Sequence, residues 1–357
     1  MSPEAYERAM LQAFGWSPED APVEGLAAAY RALSEQIQAT EADGGPTGLL
    51  KGDDETLRAA AWGLVYGHRT FRVADALLEA HPLSPGGKVA ELGSGWGPFG
   101  LAAALRGHPV ELVDVAPERL RWSRAIYGAA GAPAPQLRCA DLKGLEARGY
   151  AGLALPFSFG ELERTSGGPG TVDRLLFSWL RAMGPGGRIF LVEPGTHLSG
   201  TRLQALRDRL GSQARVHAPC PAIERCPMNA TPKHWCHFTW NTPTGSITRR
   251  LSDLAQRQWH QQHFSYLVLA PVEDHPHPTP ARLLDRRALG KGKVGAQVCT
   301  AHGLLSLTGL TRRPEVEAWF EALRPGDVMQ IPAEALAPRG DGHRVEHPEQ
   351  ILRLRRL

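Results

Sequence analysis

The sequence predicts an α/β fold built on a parallel sheet, and three observations carry this prediction. Short apolar runs alternate with helix-length segments between residues 88 and 210, which is the pattern of repeated βαβ units. The first apolar run ends in a glycine-rich turn that opens directly into a helical segment. The segment before this region has helical patterns, whereas the segment after residue 240 has mainly β patterns. We therefore expect an N-terminal helical region at 1–80, the α/β domain at 81–215, a Cys-rich metal-binding insertion at 216–245 and a C-terminal β-rich module at 246–357.

Length and composition limit the class of protein. The chain has 357 residues, 42% of them hydrophobic, and a formal net charge of +3. This length suggests two or three structural units, because single cores stop growing near ~250–300 residues. No run approaches the roughly 18 to 20 apolar residues that span a bilayer, and the first residues carry no basic and apolar leader. The five cysteines are an odd number, unlike a disulfide scaffold. We expect a soluble monomer in a bacterial-type cytoplasm.

The individual elements follow from apolar periodicity and from helix- and strand-breaking residues. Helical patterns cover 24–39 and 54–80, and a turn at 84–87 ends them. The sheet region then gives strands at 88–92, 110–113, 136–139, 152–157 and 188–192, and helices at 98–106, 117–128, 172–183 and 200–210. The periodicity breaks at 217–240. Beyond it we expect strands at 264–270, 295–299, 303–307 and 327–331, and a helix at 314–323.

A cofactor loop is predicted where the first strand meets the first helix of the sheet. Residues 91–97 read Glu-Leu-Gly-Ser-Gly-Trp-Gly. Glycines let the backbone turn tightly and approach a ligand, and the free N–H groups of the helix start then face that ligand. Asp114 ends the next strand, where a carboxylate can accept hydrogen bonds from ribose hydroxyls. Asp141 follows the third strand, where it can reach an adenine amine.

The loop has the form Gly-x-Gly-x-Gly, with an acidic residue two positions before the first glycine. This resembles S-adenosylmethionine (SAM)-dependent methyltransferases rather than nicotinamide dehydrogenases. The sequence therefore predicts a class I SAM methyltransferase Rossmann-like parallel sheet. The predicted SAM-binding residues are Glu91, Gly93, Ser94, Gly95, Gly97, Asp114 and Asp141. Trp96 is bulky for such a loop; it either stacks near the ligand or narrows the pocket.

The methyl acceptor is not evident from the end of the fourth strand, which often supplies acceptor-side residues. Residues 155–161 read Leu-Pro-Phe-Ser-Phe-Gly-Glu, which matches neither the motif for amino-group methylation of bases nor a cysteine nucleophile for cytosine C5 chemistry. Glu161 either polarises an acceptor or caps the next helix. Cys139, at the end of a strand, is expected to pack in the core. No residue is assigned as a catalytic base.

A metal site is predicted in the cysteine-rich segment. Cys220, Cys226 and Cys236 lie within 17 residues, and the first two are each followed by a proline that stiffens the loop. A loop without an apolar core of its own gains stability from a metal. Cys299 is the distant candidate for a fourth ligand. Four thiolates hold either zinc or an iron–sulfur cluster.

The spacings Cys-x5-Cys and Cys-x9-Cys fit no zinc ribbon, since zinc ribbons use paired Cys-x2-Cys knuckles. The wide spacing and the Cys-Pro pairs favour a [4Fe–4S] cluster, with zinc as the alternative. His217, His234 and His237 are minor candidates to replace one ligand in a zinc site.

Taken in order, these features resemble a known family. They are a helical N-terminus, the methyltransferase core, the strand end Leu-Val-Glu-Pro-Gly-Thr at 191–196, the cysteine segment, and basic residues followed by Cys299. The chain resembles the methyltransferase-like assembly proteins of the mitochondrial small ribosomal subunit and their bacterial relatives, over roughly residues 55 to 330. The resemblance implies an iron–sulfur cluster held by Cys220, Cys226, Cys236 and Cys299, contacts to small-subunit rRNA, and a SAM-type fold.

RNA contact is further indicated by a basic run in the β-rich module. Its cations are Arg282, Arg286, Arg287, Lys291 and Lys293. Such side chains neutralise phosphates and make binding salt-sensitive, although an ordinary solvated face has the same composition. Three hypotheses stay open: a SAM-dependent rRNA methyltransferase with a structural cluster, a non-catalytic assembly factor that binds rRNA and SAM, and a zinc-stabilised methyltransferase of a small molecule or protein.

Overall fold

The protein was analysed as a computed structural model, which describes residues 1–43, 54–210, 213–221, 225–230, 235–257, 261–271, 281–340 and 342–355. The chain divides into two compact units. The first contains Met1–Ser166 and Asn241–Gln262, and the second contains Gly167–Trp240 and His263–Leu357. Among the described residues, no helix combines the length and the apolar character needed to cross a membrane.

The α-helices of the described residues, in chain order, are α1 Pro3–Ala13, α2 Val23–Asp43, α3 Glu55–Trp62, α4 His68–Ala80, α5 Pro98–Leu105, α6 Pro117–Leu120, α7 Ser123–Ala129, α8 Phe159–Thr165, α9 Pro169–Met183, α10 His197–Leu210, α11 Ser246–Ala255 and α12 Pro314–Ala322. A π-helical turn, Gly63–Gly67, joins α3 to α4.

The strands of the described residues are β1 Lys88–Leu92, β2 Val110–Asp114, β3 Gln136–Cys139, β4 Tyr150–Pro156, β5 Arg188–Pro194, β6 Arg215–Ala218, β7 Phe238–Asn241, β8 Gln261–Ala270, β9 Ala281–Gly290, β10 Lys293–Thr300, β11 Gly303–Leu310, β12 Val328–Gln330, β13 Leu336–Arg339, β14 Gly342–Val345 and β15 Leu352–Arg355.

The first unit contains four parallel strands in the order β3-β2-β1-β4. The inner strands β1 and β2 are buried at every position except the half-buried Lys88, as expected when helices cover both faces of a parallel sheet. Because the strands are parallel, the ends of β1, β2 and β3 meet at one edge of the sheet. The predicted α/β fold on a parallel sheet, with its helical N-terminus and C-terminal β-rich module, is confirmed.

The helix α11, from much later in the chain, packs against the N-terminal helices of the first unit. The carboxylate of Glu7, which is 5% exposed, accepts hydrogen bonds from the backbone N–H groups of Thr248 (2.7 Å) and Ile247 (3.3 Å). Glu7 thus caps the N-terminus of α11 from another helix. The sequence analysis assigned this stretch to the β-rich module and missed the helix, although its buried residues recur at helical spacing.

The second unit contains two sheets. In the first of them, β5 and β6 both pair antiparallel with β8, and β7 also pairs with β8. The other is a seven-stranded sheet in the order β13-β14-β11-β10-β9-β12-β15. Its strands β9, β10 and β11 form an antiparallel meander, while β14 runs parallel to β11. The core of this sheet includes Leu283, Val298, Leu307 and Phe320.

Two predicted features of the β-rich module are corrected. The basic run contains the strand β9, which begins at Ala281 and which the sequence analysis did not assign. The strand β15 lies in the C-terminal stretch, to which the sequence analysis assigned no element. In β9, Arg282 is buried while Arg286 and Arg287 are exposed, so the strand lacks the regular alternation of apolar residues on which a strand prediction depends.

Candidate functional site

The glycine loop has the backbone that a close ligand contact requires. Gly93, Gly95 and Gly97 have φ values of +66°, +54° and +88°, in the left-handed region that favours glycine. Gly97 is also the N-cap of α5. A Cβ on Gly97 would overlap the buried side chain of Leu112, with Cδ1 only 2.6 Å away. A Cβ on Gly95 would meet no atom within 4 Å.

Glu91 connects the end of β1 to the start of α5. Its side chain is fully buried, and Oε2 accepts a hydrogen bond from the Gly100 N–H at 2.6 Å. Burial raises the pKa of this carboxyl to about 8, although the backbone hydrogen bonds from Gly100 and Phe99 oppose the shift. Glu91 therefore fixes the start of α5 relative to the end of β1. A direct contact between Glu91 and SAM stays a prediction.

The predicted acidic residues lie at the edge where β1, β2 and β3 end. Asp114 is buried; its Oδ2 accepts from the Gly95 N–H at 2.9 Å, and its Oδ1 accepts from the Ala116 N–H at 3.0 Å. Asp141 is exposed and accepts from the Lys143 N–H at 2.9 Å. Ser94 is buried in the turn. The structure brings the loop and Asp114 into direct contact, and the roles of both aspartates toward ribose and adenine stay predictions.

Trp96 points away from solvent and into the N-terminal helices. It is 4% exposed, and its ring lies edge-on to Trp62 with centroids 5.9 Å apart. A Cβ on Gly67 would overlap the indole. Gly67, the last residue of the π-helical turn, makes room for this ring. The sequence signal for this contact is Gly67, which the sequence analysis did not single out.

Cys139 is exposed, so its expected core position was wrong. The strand β3 lies at the edge of the four-stranded sheet, and its residues are mostly exposed. An edge strand lacks one of the two neighbours that would bury it, and the position of a strand within a sheet is not visible in a short sequence window.

The four predicted metal ligands meet in the second unit. Cys220, Cys226, Cys236 and Cys299 all line one cavity. Its other lining residues are Arg207, Pro219, Pro221, Pro227, Met228, Arg282 and Leu284. The cysteines come from a loop after β6, from the segments on either side of residues 231–234, and from β10. Residues more than 60 positions apart in the chain are therefore brought together by the fold.

Burial determines the protonation of these thiols. It raises the pKa of Cys220 to about 11 and that of Cys299 to about 12, and it also raises the pKa of Cys226 and Cys236. The neighbouring thiols add to most of these shifts, since each disfavours a second negative charge nearby. The guanidinium of Arg207 opposes the shifts at Cys220, Cys226 and Cys299.

The helix α10 holds the cysteine segments by two polar side chains four residues apart, the buried Gln204 and the half-buried Asp208. Gln204 Oε1 accepts from the Cys236 N–H at 3.0 Å, and Asp208 Oδ1 accepts from the Cys226 N–H at 2.8 Å. Asn229 joins the two, because its Nδ2 donates to Asp208 Oδ2 at 2.7 Å and its Oδ1 accepts from Gln204 Nε2 at 2.9 Å. Sequence reasoning missed this support, for which the only signal is polar residues on the buried face of an amphipathic helix.

The strand-end motif at 191–196 supports the same region. The Gly195 N–H donates to His263 O at 3.1 Å, and a Cβ on Gly195 would lie 2.8 Å from the backbone of His263. The indole Nε1 of Trp235 donates to Gly195 O at 2.8 Å. Glycine is needed here because the backbone of β8 approaches so closely.

The histidine alternatives gain no support. Among the residues that the structure describes, no group of three or more His, Cys, Asp or Glu side chains, the four cysteines included, is placed to hold a metal ion. The ring of His237 stacks on Trp235 with centroids 5.0 Å apart, and its Nδ1 lies 3.1 Å from Trp235 O. His217 is half-buried in β6. His234 lies outside the described residues.

The five predicted RNA-binding cations do not form one surface. Arg282 is 1% exposed and lines the cysteine cavity, so the prediction that it contacts an RNA phosphate is corrected. Arg286 is exposed and donates to Phe320 O at 3.2 Å, and Arg287 pairs with Asp285 at 3.1 Å. The lysines of the β9–β10 turn are both exposed; they are Lys291 and Lys293.

Comparison with known proteins gives one family match. Residues 174–329 match the family model of the mitochondrial small ribosomal subunit protein Rsm22. The matched range includes the four cysteines of the cavity and the basic run, and it begins after the glycine loop. No curated protein matches the sequence.

Several solved structures resemble the chain at low sequence identity. A ribosomal protein L11 methylase from Lactobacillus delbrueckii subsp. bulgaricus is 12% identical, with 57% of this chain and 79% of that chain covered and a TM-score of 0.36. A SAM-dependent methyltransferase from Geobacter sulfurreducens in complex with S-adenosyl-L-homocysteine is 18% identical, with 57% and 90% covered and a TM-score of 0.34. The magnesium protoporphyrin IX methyltransferase of Synechocystis is 14% identical, with 68% and 96% covered and a TM-score of 0.37.

The family match covers the segments from which the resemblance was predicted, namely the strand end at 191–196, the cysteine segment and Cys299. The predicted resemblance is thus confirmed for that part of the chain. Over residues 174–329, the chain is therefore similar to the mitochondrial small ribosomal subunit family Rsm22.

Proposed function

We propose that the protein is an assembly factor of the small ribosomal subunit in a bacterial-type cytoplasm, which binds rRNA, holds a [4Fe–4S] cluster and binds SAM. The observation that carries the proposal is the convergence of Cys220, Cys226, Cys236 and Cys299 on one cavity. This cavity lies within the part of the chain that matches the small-subunit family.

The residues of the cavity suit a cluster with four thiolate ligands. The donors are four cysteines, all free of disulfides. They reach the cavity from separate segments with wide spacing, unlike the paired Cys-x2-Cys knuckles of zinc ribbons. When bound, a [4Fe–4S] cluster would link the cysteine loops to β10 and supply a one-electron redox centre. The chain's own contribution is orientation, since α10 fixes the backbone at Cys226 and Cys236 through Asp208 and Gln204.

The proposed SAM site rests on the glycine loop. The three glycines at alternate positions of the loop are in the left-handed conformation, and Asp114 accepts a hydrogen bond from the N–H of the middle one. Nothing within 4 Å occupies the space in front of Gly95. SAM binding can serve either methyl transfer or ligand sensing, and the acceptor-side residues 155–161 carry no known acceptor motif.

The proposed RNA contact rests on the turn between β9 and β10. Lys291 and Lys293 are exposed, and Arg312 follows β11 at the same end of the sheet, since Lys293 pairs with Leu310. These cations would neutralise phosphates and release counterions.

The cluster is tested by anaerobic purification with analysis of iron, sulfide and zinc. We expect about four irons and four sulfides per chain. Cys220→Ser should lose them, while Cys139→Ser, at an exposed cysteine outside the cavity, should keep them. One zinc without iron would refute the cluster and favour the zinc-stabilised methyltransferase.

RNA contact is tested by the salt dependence of binding to small-subunit rRNA fragments. The double variant Lys291→Glu/Lys293→Glu should weaken binding and lower the slope of log K against log salt by about 2, roughly one per phosphate contact. The control is Arg148→Glu, an exposed cation of the first unit. Equal effects of both variants would indicate only general charge attraction and would contradict the proposed site.

A further inference from the structure

Arg282, which the sequence assigned to RNA, lies directly beside one of the four cysteines. In the antiparallel pairing of β9 with β10, Arg282 is the register partner of Cys299. Side chains of directly opposed residues project from the same face, with Cβ atoms roughly 4.5–5.5 Å apart. Arg282 also lines the cysteine cavity. The strand pairing therefore fixes a guanidinium next to a proposed cluster ligand.

The guanidinium is buried and held from one side only. Arg282 is 1% exposed, and its Nη1 donates to Tyr266 Oη at 3.2 Å and to Gly326 O at 3.0 Å. Its Nε has no hydrogen-bond partner among the residues that the structure describes. No carboxylate in the described part of the chain forms an ion pair with it. By contrast, the other arginine of the cavity, Arg207, pairs with Asp208 at 2.6 Å.

A buried charge without a counter-charge is costly, because burial removes its hydration. Two neutral hydrogen-bond acceptors do not neutralise Arg282, so an anion in the cavity would offset much of that cost. A cluster held by four thiolates is a net anion, and hydrogen bonds to its sulfurs and the charge around it set its reduction potential. The arrangement of Arg282 suits such a ligand.

We infer that Arg282 is a positioning residue for the proposed cluster. The cluster supplies the counter-charge of the guanidinium, and Arg282 Nε donates a hydrogen bond to a thiolate or sulfide sulfur. This inference rests on the proposed cluster. A cation beside the cluster stabilises the form with one more electron, so it favours reduction. Removing it should make the cluster harder to reduce and easier to lose.

The experiment compares anaerobically purified full-length wild type, Arg282→Gln and Arg282→Lys. The control is Arg286→Gln, which carries the same substitution on the exposed part of the same strand. Dithionite supplies one electron per cluster, and electron paramagnetic resonance follows the reduced form during a potentiometric titration. Iron release to a chelator is measured in parallel.

For Arg282→Gln we expect about a tenfold fall in the ratio of reduced to oxidised cluster at a fixed potential, which is ~59 mV for a one-electron couple. Iron should also be released several-fold faster. Arg282→Lys keeps the charge but loses the Nε donor, so its reduction potential and its rate of iron release should lie between those of wild type and Arg282→Gln. It also tests the inference if Arg282→Gln does not fold. Arg286→Gln should match wild type.

The inference is overturned if Arg282→Gln, or Arg282→Lys where only that variant folds, keeps both the wild-type potential and the wild-type rate of iron release. In that case the cluster itself stands. If wild type contains no iron, the proposed cluster fails first, and the inference fails with it.

Discussion

Replacing Gly97 by alanine should destabilise the first unit more than the same change elsewhere in the glycine loop. Two costs combine at this position. An alanine at φ +88° costs roughly 1–2 kcal/mol in backbone energy. Its Cβ would also overlap Leu112, which is fully buried; such overpacking costs roughly 1–3 kcal/mol. The free energy of unfolding should fall by roughly 2–5 kcal/mol.

Gly95→Ala is the matched control for this prediction. Gly95 has φ +54°, but a Cβ there would meet no atom within 4 Å, so only the backbone cost of about 1–2 kcal/mol applies. The assay is equilibrium urea unfolding of the full chain, with the midpoint and the slope compared among the three proteins. If Gly97→Ala is no less stable than Gly95→Ala, the argument from Leu112 is wrong.

The same pair of variants separates stability from ligand binding. The Cβ of Gly95→Ala would project into the open space in front of the loop, where we propose that SAM binds. Calorimetric titration with SAM should therefore show a loss of affinity for Gly95→Ala that exceeds its modest loss of stability. Unchanged affinity would contradict the placement of SAM against this loop.

Three further predictions follow from buried polar groups. The pKa of Glu91 is raised to about 8 in the fold, so the stability that it contributes is full below its unfolded pKa and is lost as pH rises towards 8; Glu91→Gln should flatten this dependence between pH 5 and 8 in thermal melts. Asp208→Ala removes the acceptor for the Cys226 N–H and should lower the iron content of anaerobically purified protein, whereas unchanged iron would show that α10 does not support the site. Glu7→Ala uncaps α11 at Thr248 and should cost about 0.5–2 kcal/mol in urea unfolding; a smaller cost would mean that water replaces the cap.

The sequence predicted local features well where one segment carries the whole signal. The strand–loop–helix at 88–105 is such a case, because buried apolar residues, alternating glycines and a helix start lie next to one another in the chain. The clustering of three cysteines within 17 residues is another. In both, the chemistry depends on spacing along the backbone, which can be read without knowing any tertiary contact.

Other features depend on neighbours that are distant in the chain. Cys139 is exposed because β3 is an edge strand, and Trp96 is buried because Gly67 makes room for it. The role of Arg282 changed for the same reason. In the sequence it belongs to a basic run, but its register opposite Cys299 buries it beside the cysteines.

By itself, the sequence determined the α/β fold, the glycine loop and the types of ligand that the cysteine segment offers, because each is encoded by residues close together in the chain. Only the tertiary structure decided that Cys299 joins the other three cysteines, that α10 holds their loops and that an arginine faces them. Strand register and helix packing set these contacts, and they join residues whose separation in sequence carries no information about their separation in space.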